Sequence, residues 1–409
     1  MARKLQCLAI ISSILIVLFA YLYHVPNSEG VPQMNRIRLL SASMKIIRFI
    51  GKISETFGFT SAWYIQRTSG HVLKKLKPTE INVDLNIKNI TIDGVSVRIY
   101  SPLNINHNKN KYLPAIIFYH GGAFYMGSVE THHPITRRLA LMTGFIVISV
   151  EYRLAPEHPF PAGLDDCMKV TQYILDSNNA EKLNIDSKRI AISGDSAGGN
   201  LAAVIAMRFA NNENNINVPR VQVLIYPVVQ FFDFMLPSYL TPALHIFHFG
   251  RGGQILEFYI NKSITNDILI NNHTSIEQKK QYRQFVDWSF IPNKYRKVYK
   301  ESITDNIDGN PKLIENAKQV LHRDISPLLV DNKELSKLPS TYILTVDHDR
   351  LRDEGFIYAG RLKASGVNVV HRHFENTFHG SLTFLEGLFE LDIAHEMLND
   401  IVQYLKENL

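Results

Sequence analysis

Cysteine is scarce in this chain of 409 residues, which contains only Cys7 and Cys167. Two cysteines cannot build a disulfide framework or a cysteine-rich zinc site, so small stapled scaffolds and zinc modules are excluded. The closely spaced histidines have no accompanying set of carboxylates or cysteines, and we expect neither a metal site nor any other cofactor. These histidines are His132, His133, His245 and His248.

Clusters of like charge and internal repeats are also missing. The 44 Lys and Arg residues exceed the 38 Asp and Glu residues by six, but they are spread along the chain without interleaved aromatic residues. This distribution does not favour a nucleic-acid partner. With 45% apolar and 20% charged residues, the chain can bury a large core, as one domain with insertions or as two.

The first 30 residues differ from the rest. No charge occurs over the 19 positions from Leu5 to Tyr23, and a helix of that length would rise about 28 Å, close to the thickness of a hydrocarbon core. Arg3 and Lys4 precede the run, which places residues 1–4 in the cytosol and the chain after Tyr23 on the far side. We therefore predict a signal-anchor that spans the lipid bilayer over residues 5–23.

A cleaved signal peptide is the alternative, because Ser28-Glu29-Gly30 supplies a pattern of small residues for cleavage. The apolar run is longer than the usual signal core, which favours the anchor. Three Asn-x-Ser/Thr sites agree with exposure to a compartment where glycosylation occurs. They begin at Asn89, Asn261 and Asn272.

Residues 24–79 are predicted to form a linker followed by N-terminal cap helices. Apolar residues from Ile46 to Phe57 recur at helical spacing, with basic residues between them. Two interpretations stay open. One is an amphipathic helix pair packed on the body, and the other is a membrane-adjacent helix that helps to cover a site.

Residues 80–409 alternate predicted strands with predicted helices, which indicates a mainly parallel sheet covered on both faces. The strands are expected at 81–87, 95–100, 114–119, 145–150, 189–193, 221–226, 341–346 and 367–370. Helices are expected at about 131–143, 163–178, 196–211, 353–365 and 385–407. The stretch of about 228–325 is too long for a loop and is predicted to be an inserted helical cap.

One glycine-rich segment has the pattern G-x-S-x-G. Its residues are Gly194, Asp195, Ser196, Ala197 and Gly198, followed by Gly199. The segment lies between a predicted strand and a predicted helix, where a serine on a sharp turn leaves no room for neighbouring Cβ atoms. Ser196 is therefore the candidate nucleophile, and Gly199 at the third position after it disfavours a Ser–Lys mechanism.

A second glycine segment, His120-Gly121-Gly122, directly follows the buried strand 114–119. Acyl transfer develops a negative oxygen that backbone N–H groups can stabilise. The amides of Gly121, Gly122 and Ala197 are predicted to form this oxyanion hole. His120 is interpreted as a structural residue of the turn.

A nucleophilic serine needs a histidine base and an orienting carboxylate. Asp349 and His379 are chosen because each follows a different predicted strand at its carboxyl end, the edge where α/β sheets bind ligands. Asp353 is better placed in the following helix, while His371 and His373 alternate within a strand. The chain order Ser, Asp, His is typical of α/β-hydrolases.

Together these segments resemble the hormone-sensitive lipase family of α/β-hydrolases, and are most similar to its arylacetamide deacetylase branch. Besides the motifs above, the resemblance includes the segment 151–162, Leu224-Ile225-Tyr226-Pro227, the run 349–355 and Phe378-His379-Gly380. Ala123 replaces a frequent third glycine, while Tyr125 and Val346 stand where some relatives carry cysteines. The resemblance implies a single-pass type II protein of the endoplasmic reticulum membrane with a lumenal catalytic domain.

The expected activity is hydrolysis of a small apolar acyl ester or amide through an acyl-enzyme on Ser196, with a place in lipid metabolism. A triacylglycerol or cholesteryl-ester lipase and a short-acyl deacetylase are both compatible with the motifs. The alternative from another class is an inactive binding protein that keeps the fold and holds a small apolar ligand. The sequence does not indicate an oligomeric state.

Overall fold

A computed structural model describes residues 2–26, 30–75, 84–103, 112–212, 217–241, 244, 252–296 and 306–409. Its centre is an eight-stranded sheet with the order β1-β2-β4-β3-β5-β6-β7-β8. The first two strands pair antiparallel, β2 pairs antiparallel with β4, and the other pairs are parallel. The strands are β1 Leu85–Ile92, β2 Val95–Pro102, β3 Leu113–Tyr119, β4 Ile146–Glu151, β5 Ile185–Asp195, β6 Val221–Ile225, β7 Ser340–His348 and β8 Val369–Phe378.

The predicted first strand, 81–87, is wrong in its position, and residues 81–83 lie outside the described residues. The strand runs from Leu85 to Ile92 because Asp93 and Gly94 form a tight turn, both with positive φ. This turn returns the chain in register, so that Ile92 lies opposite Val95. The Asp-Gly pair is a strong sequence signal for a hairpin, whereas the strand prediction rested on the pattern of apolar residues alone.

Alternate residues of the central strands pack into two cores on opposite faces of the sheet. On β3, Ile117 and Tyr119 contact one core, while Ile116 and Phe118 contact the other. All four side chains are fully buried. The predicted mainly parallel sheet with helices on both faces is therefore confirmed.

Helices cover both faces. One core includes residues of α5 Ala162–Leu175, α7 Ala197–Ala210 and α14 Arg352–Ala364, and the other includes residues of α4 His133–Thr143 and α15 Asp392–Asn408. The short helix α6 Ser177–Lys182 precedes β5.

The region between β6 and β7 is a set of short helices and 3₁₀ turns. The helices are α8 Pro237–Leu240, α9 Gly252–Ile260, α10 Ile276–Tyr282, α11 Asn293–Arg296, α12 Pro311–Ala317 and α13 Asn332–Leu335. Asp233, which is buried, holds this region together by accepting hydrogen bonds from Arg283 and Asn271, both at 2.7 Å. A buried carboxylate with a paired cation ties distant turns to one another.

Three further helices precede the sheet: α1 Ala2–Tyr23, α2 Met34–Thr56 and α3 Ala62–Lys75. Ile37 and Leu40 of α2 pack into the same core as α4 and α15. Among the residues that the structure describes, no helix reaches the combination of length and apolarity needed to cross a membrane. The span predicted over residues 5–23 stays a prediction.

Candidate active site

Ser196 lies on the sharp turn between β5 and α7. Its backbone has φ 55° and ψ −118°, and the strand ends at the preceding residue while the helix begins at the following one. The Ser196 amide donates to the carbonyl oxygen of Ile225 on the neighbouring strand β6, at 2.9 Å. The turn therefore holds a non-glycine residue in a strained conformation by anchoring it to the sheet.

Two glycines of the motif are required by close approaches of the backbone. A Cβ on Gly198 would overlap the carbonyl oxygen of Tyr119 at the end of β3, and a Cβ on Gly194 would overlap the carbonyl oxygen of Gly198. The start of α7 is thus pressed against the neighbouring strand. Gly199 is also crowded, because its Cβ would lie 2.9 Å from the Cβ of Pro227.

The structure brings Ser196, His379 and Asp349 together in one hydrogen-bonded chain. His379 Nε2 lies 2.9 Å from Ser196 Oγ, and His379 Nδ1 lies 2.9 Å from Asp349 Oδ2. Ser196 and Asp349 are buried, with 8% and 4% of their surface exposed. This geometry suits an imidazole that takes a proton from the serine while the carboxylate orients it.

The register of the sheet determines where Asp349 and His379 lie. His348 on β7 lies opposite Phe378 on β8, so Asp349 and His379 leave two adjacent parallel strands at the same point. The second oxygen of Asp349 accepts the amide of Leu351 at 2.8 Å, which fixes the carboxylate. The ring of Tyr226 packs beside the imidazole, with centroids 4.8 Å apart.

Two opposing effects set the pKa of His379. Burial lowers it, but the charge of Asp349 and the hydrogen bond to that carboxylate outweigh burial, and the net pKa of His379 lies above the ordinary histidine value. The surroundings of His379 therefore favour its protonated form, as a base that accepts a proton from a serine would require.

Other acids and histidines near these strand ends have partners outside this hydrogen-bonded chain. Asp347 contacts His373 at 3.1 Å and also accepts from the hydroxyl of Tyr295. Asp353 is paired with Arg352 at 2.8 Å and accepts the amide of Ser238 at 2.7 Å. These contacts hold β8 and the 228–241 segment in place around the site.

One of the predicted oxyanion donors, the Gly121 amide, has a different partner in the structure. The amide of Gly121 donates to Asp195 Oδ1 at 2.8 Å, so it is already occupied by the residue before the nucleophile. Among the described residues, the amides of Gly122, Ala123 and Ala197 have no acceptor. Gly122 and Ala197 stay predicted donors, and Ala123 is a candidate that the sequence argument missed.

Asp195 connects two segments: the loop that begins at His120 and carries the predicted oxyanion donors, called the oxyanion loop, and the turn at Ser196, called the nucleophile turn. Besides the Gly121 amide, its carboxylate contacts His132 Nε2 at 3.2 Å. Burial raises the pKa of the Asp195 carboxyl, but His132 and the Gly121 amide outweigh burial and the net pKa is lowered. The sequence gives no sign of this contact, because His132 and Asp195 are 63 residues apart in the chain.

His120 is a buried structural residue. Its ring stacks on Tyr152, with centroids 4.2 Å apart, and its Nδ1 lies 2.9 Å from the carbonyl oxygen of Gly121. The Tyr152 hydroxyl donates to the His120 carbonyl at 2.6 Å. The segment 151–162, which follows β4, thus packs under the oxyanion loop.

Arg67 on α3 is a further residue at the oxyanion loop. Its Nε donates to the carbonyl oxygen of Tyr125 at 2.6 Å, and its guanidinium binds Glu157 through both carboxylate oxygens at 2.7 and 3.0 Å. No local sequence pattern could indicate this contact, since the partners lie 58 and 90 residues away. Arg67 clamps the N-terminal helices onto the loop.

The three glycosylation candidates differ in exposure. Asn89 and Asn261 are exposed, whereas Asn272 is partly buried. The Asn272 side-chain oxygen accepts the amide of Asn310 at 3.1 Å. In the described part of the chain, no three His, Cys, Asp or Glu side chains are grouped as ligands for a metal ion.

Comparison with known proteins identifies relatives of this chain. The model of a family described as having the alpha/beta hydrolase fold matches residues 116–275 and 292–383. The chain is 34% identical to arylacetamide deacetylase from Bos taurus, over 97% of this chain and 98% of that protein. It is 31% identical to neutral cholesterol ester hydrolase 1 from Mus musculus, over 97% and 98%.

The chain is also 31% identical to arylacetamide deacetylase-like 2 from Homo sapiens, over the full length of both proteins. Among solved structures, it resembles a hyperthermophilic esterase from the archaeon Pyrobaculum calidifontis, with a TM-score of 0.60 and 28% identity over 92% of this chain and 98% of that one. The enzymes carry ester-hydrolase or deacetylase names, in agreement with the predicted class of activity. The fold, the two glycine motifs and these relatives together show that the chain belongs to the α/β-hydrolase family and, within it, to the arylacetamide deacetylase branch.

Proposed function

We propose that this protein hydrolyses carboxylic esters or amides through an acyl-enzyme on Ser196. The observation that carries the proposal is the unbroken chain from Ser196 Oγ through the His379 imidazole to Asp349, with both links at 2.9 Å. Nucleophile, base and orienting acid are the parts that acyl transfer needs. The ester-hydrolase names of the relatives support the same class of substrate.

In the first half of the reaction, Ser196 Oγ attacks the acyl carbonyl carbon and its proton passes to His379 Nε2. The amides of Gly122, Ala123 and Ala197 stabilise the oxygen that becomes negative. His379 then donates the proton to the departing alcohol or amine, which leaves the acyl group on the serine. In the second half, His379 takes a proton from water, the hydroxide attacks the ester, and Ser196 regains its proton as the acid leaves.

The proposed substrates are esters and amides with apolar acyl groups, because the relatives bear the names of an arylacetamide deacetylase and a cholesterol ester hydrolase. A short-acyl deacetylase and a long-acyl lipase are distinguished by rates on a series of esters of increasing chain length. An inactive binding protein would retain an apolar ligand and hydrolyse none of them.

The proposed location is the endoplasmic reticulum membrane, with residues 5–23 as a type II anchor and the catalytic domain in the lumen. The uncharged run and the exposure of apolar residues on α1, such as Ile14, Val17 and Phe19, support this proposal. The exposed sequons at Asn89 and Asn261 agree with a glycosylating compartment.

We expect Ser196→Ala to abolish ester hydrolysis, with a loss of at least about 10⁴-fold, and to abolish labelling by a fluorophosphonate. Ser193→Ala is the matched control, since Ser193 is also a buried serine and lies on β5 three positions earlier. The measurements are hydrolysis of p-nitrophenyl butyrate and gel detection of the label. Activity that survives in Ser196→Ala would exclude Ser196 as the nucleophile.

The pH profile tests the assignment of His379. His379 can act as a base only when its imidazole is neutral, and its pKa is raised. We therefore expect kcat/KM to be highest at high pH and to fall as the pH drops through a midpoint above the ordinary histidine pKa. Asp349→Asn should lower kcat by roughly 10³- to 10⁴-fold and shift the midpoint to lower pH. Asp347→Asn is the control, because Asp347 contacts His373 and not His379. An unshifted midpoint in Asp349→Asn would contradict the role of this carboxylate.

Asp195→Ala tests whether Asp195 positions the oxyanion loop. We expect kcat to fall by about 10²-fold with a smaller change in KM, because freeing the Gly121 amide misplaces the neighbouring donors. Asp195→Asn keeps an oxygen acceptor for that amide and should recover much of the loss. Asp186→Ala, which breaks the half-exposed pair with Arg189, is the control. Equal kcat in Asp195→Ala and the wild type would exclude this role.

Glycosidase treatment tests the lumenal location. In the expressed full chain, Asn89→Gln and Asn261→Gln should each remove one glycan and increase the mobility of the protein on a gel. Asn272→Gln should not, because the Asn272 side chain is partly buried whereas those of Asn89 and Asn261 are exposed. Asn86→Gln, an exposed asparagine outside any sequon on the same strand as Asn89, is the control. A wild-type chain with no glycan at any site would argue against the lumen.

A further inference from the structure

The helix α2 exposes a continuous apolar stripe, which we call the apolar face of α2. Its members lie on α2 and in the turn that follows it, and several are large: Phe49 is 66% exposed and Phe57 is 71% exposed. The full set is Leu39, Ile46, Phe49, Ile50, Ile53, Phe57 and Phe59. Their spacing follows the helical repeat, so they share one side of the helix.

The opposite side of α2 faces the protein. Ile37, Leu40, Gly51 and Ser54 are buried there, and the Cβ position of Gly51 lies against the backbone of Ala62 on α3. The helix therefore already packs its other side against the protein, and the exposed stripe is its surface side. A soluble surface rarely leaves so many large apolar side chains together without a partner.

The charges beside the stripe favour a lipid headgroup partner. The helix α2 carries five basic residues and one acidic residue, Glu55. The basic residues are Arg36, Arg38, Lys45, Arg48 and Lys52. Apolar residues on one side with basic residues around them are typical of helices that lie in a membrane interface.

The position of α2 relative to α1 agrees with this partner. Lys45 Nζ donates to the carbonyl oxygens of Tyr21 and His24, at 2.6 and 2.7 Å, and so caps the C-terminal end of α1. Arg38 lies over the ring of Tyr23, 4.8 Å from its centroid. If Tyr21 and Tyr23 lie at the interface, the middle of α2 lies there too.

We propose that the apolar face of α2 inserts into the interfacial layer of a phospholipid bilayer and forms a second membrane contact beside α1. The orientation of the contact rests on the proposed anchor, but the contact itself does not. The membrane contact also specifies the class of substrate, which is apolar esters that are dissolved in the bilayer.

The helix α3 connects α2 to the surroundings of the active site. The helix α3 follows the turn after α2, and its Arg67 donates to the Tyr125 carbonyl in the oxyanion loop. Trp63 of α3 packs against Phe258 of α9, with ring centroids 5.8 Å apart. The helix pair that meets the lipid thus contacts both the oxyanion loop and the helical region over the sheet.

Spin-label accessibility in the full chain tests the contact. Single cysteines are introduced by Phe49→Cys and Phe57→Cys, with Val17→Cys as the label for the anchor and Leu388→Cys, 68% exposed, as the control on the body. Exposed Cys7 is replaced by serine, and Cys167 is buried and stays. The protein is reconstituted in vesicles of phosphatidylcholine and phosphatidylserine, and collisions are measured with oxygen, which partitions into lipid, and with a water-soluble nickel chelate.

The expected result is an oxygen-to-nickel ratio several-fold higher at positions 49 and 57 than at 388. A high ratio at 17 with a water-like ratio at 49 and 57 would overturn the proposal and leave the anchor intact. A high ratio at 49 and 57 with a water-like ratio at 17 would support the contact and overturn the anchor. Low collision rates with both reagents at 49 and 57 would show that protein, such as a second copy of this chain, covers the face, which also overturns the proposal.

A second measurement separates this contact from the chemistry. The double variant Phe49→Ser, Phe57→Ser should lose several-fold in hydrolysis of a long-chain ester dissolved in the vesicles, while hydrolysis of water-soluble p-nitrophenyl butyrate and fluorophosphonate labelling stay unchanged. Leu388→Ser should change neither rate. An equal loss on both substrates, or no loss on the vesicle substrate, would overturn the proposal. Absence of hydrolysis in the wild type would instead contradict the proposed function.

Discussion

The contact between the end of β3 and the start of α7 is the constraint on which the site depends. The carbonyl oxygen of Tyr119 occupies the space that a Cβ of Gly198 would need, so the nucleophile turn and the oxyanion loop leave neighbouring strands in direct backbone contact. Only glycine permits this approach. Because the turn is pressed against the sheet, Ser196 keeps its strained conformation, and the loop that begins at His120 starts beside it.

A second layer of contacts keeps that arrangement in place. The carboxylate of Asp195 binds the Gly121 amide and His132, and thereby ties the loop to the turn one residue before the nucleophile. From outside, Arg67 binds the same loop at the Tyr125 carbonyl. Burying a charged side chain costs free energy unless it has hydrogen-bonding or ionic partners in a suitable geometry, and each of these charged groups has such partners. Through these links, residues far apart in the chain hold one short loop of backbone amides in place.

Sequence patterns predicted the parallel sheet and its approximate strands, because a buried strand needs a continuous apolar run and each core face needs alternate residues. They were less accurate where a turn decides the register, as at Asp93 and Gly94, which place the end of β1 five positions later than expected. The choice of Asp349 and His379 from several acids and histidines used only their position after strands. The structure joins both to Ser196, and the register of β7 and β8 supplies the reason.

What the sequence by itself determined is local: the glycine-flanked serine, the order of serine, acid and histidine, and the uncharged run of residues 5–23. What only the tertiary structure decided depends on contacts between distant residues. These are the occupation of the Gly121 amide by Asp195, the pairing of that carboxylate with His132, and the clamp of Arg67 on the oxyanion loop. The physical reason is that a hydrogen bond is set by position in space, and these partners are 58 to 74 residues apart in the chain, a separation that no local periodicity encodes.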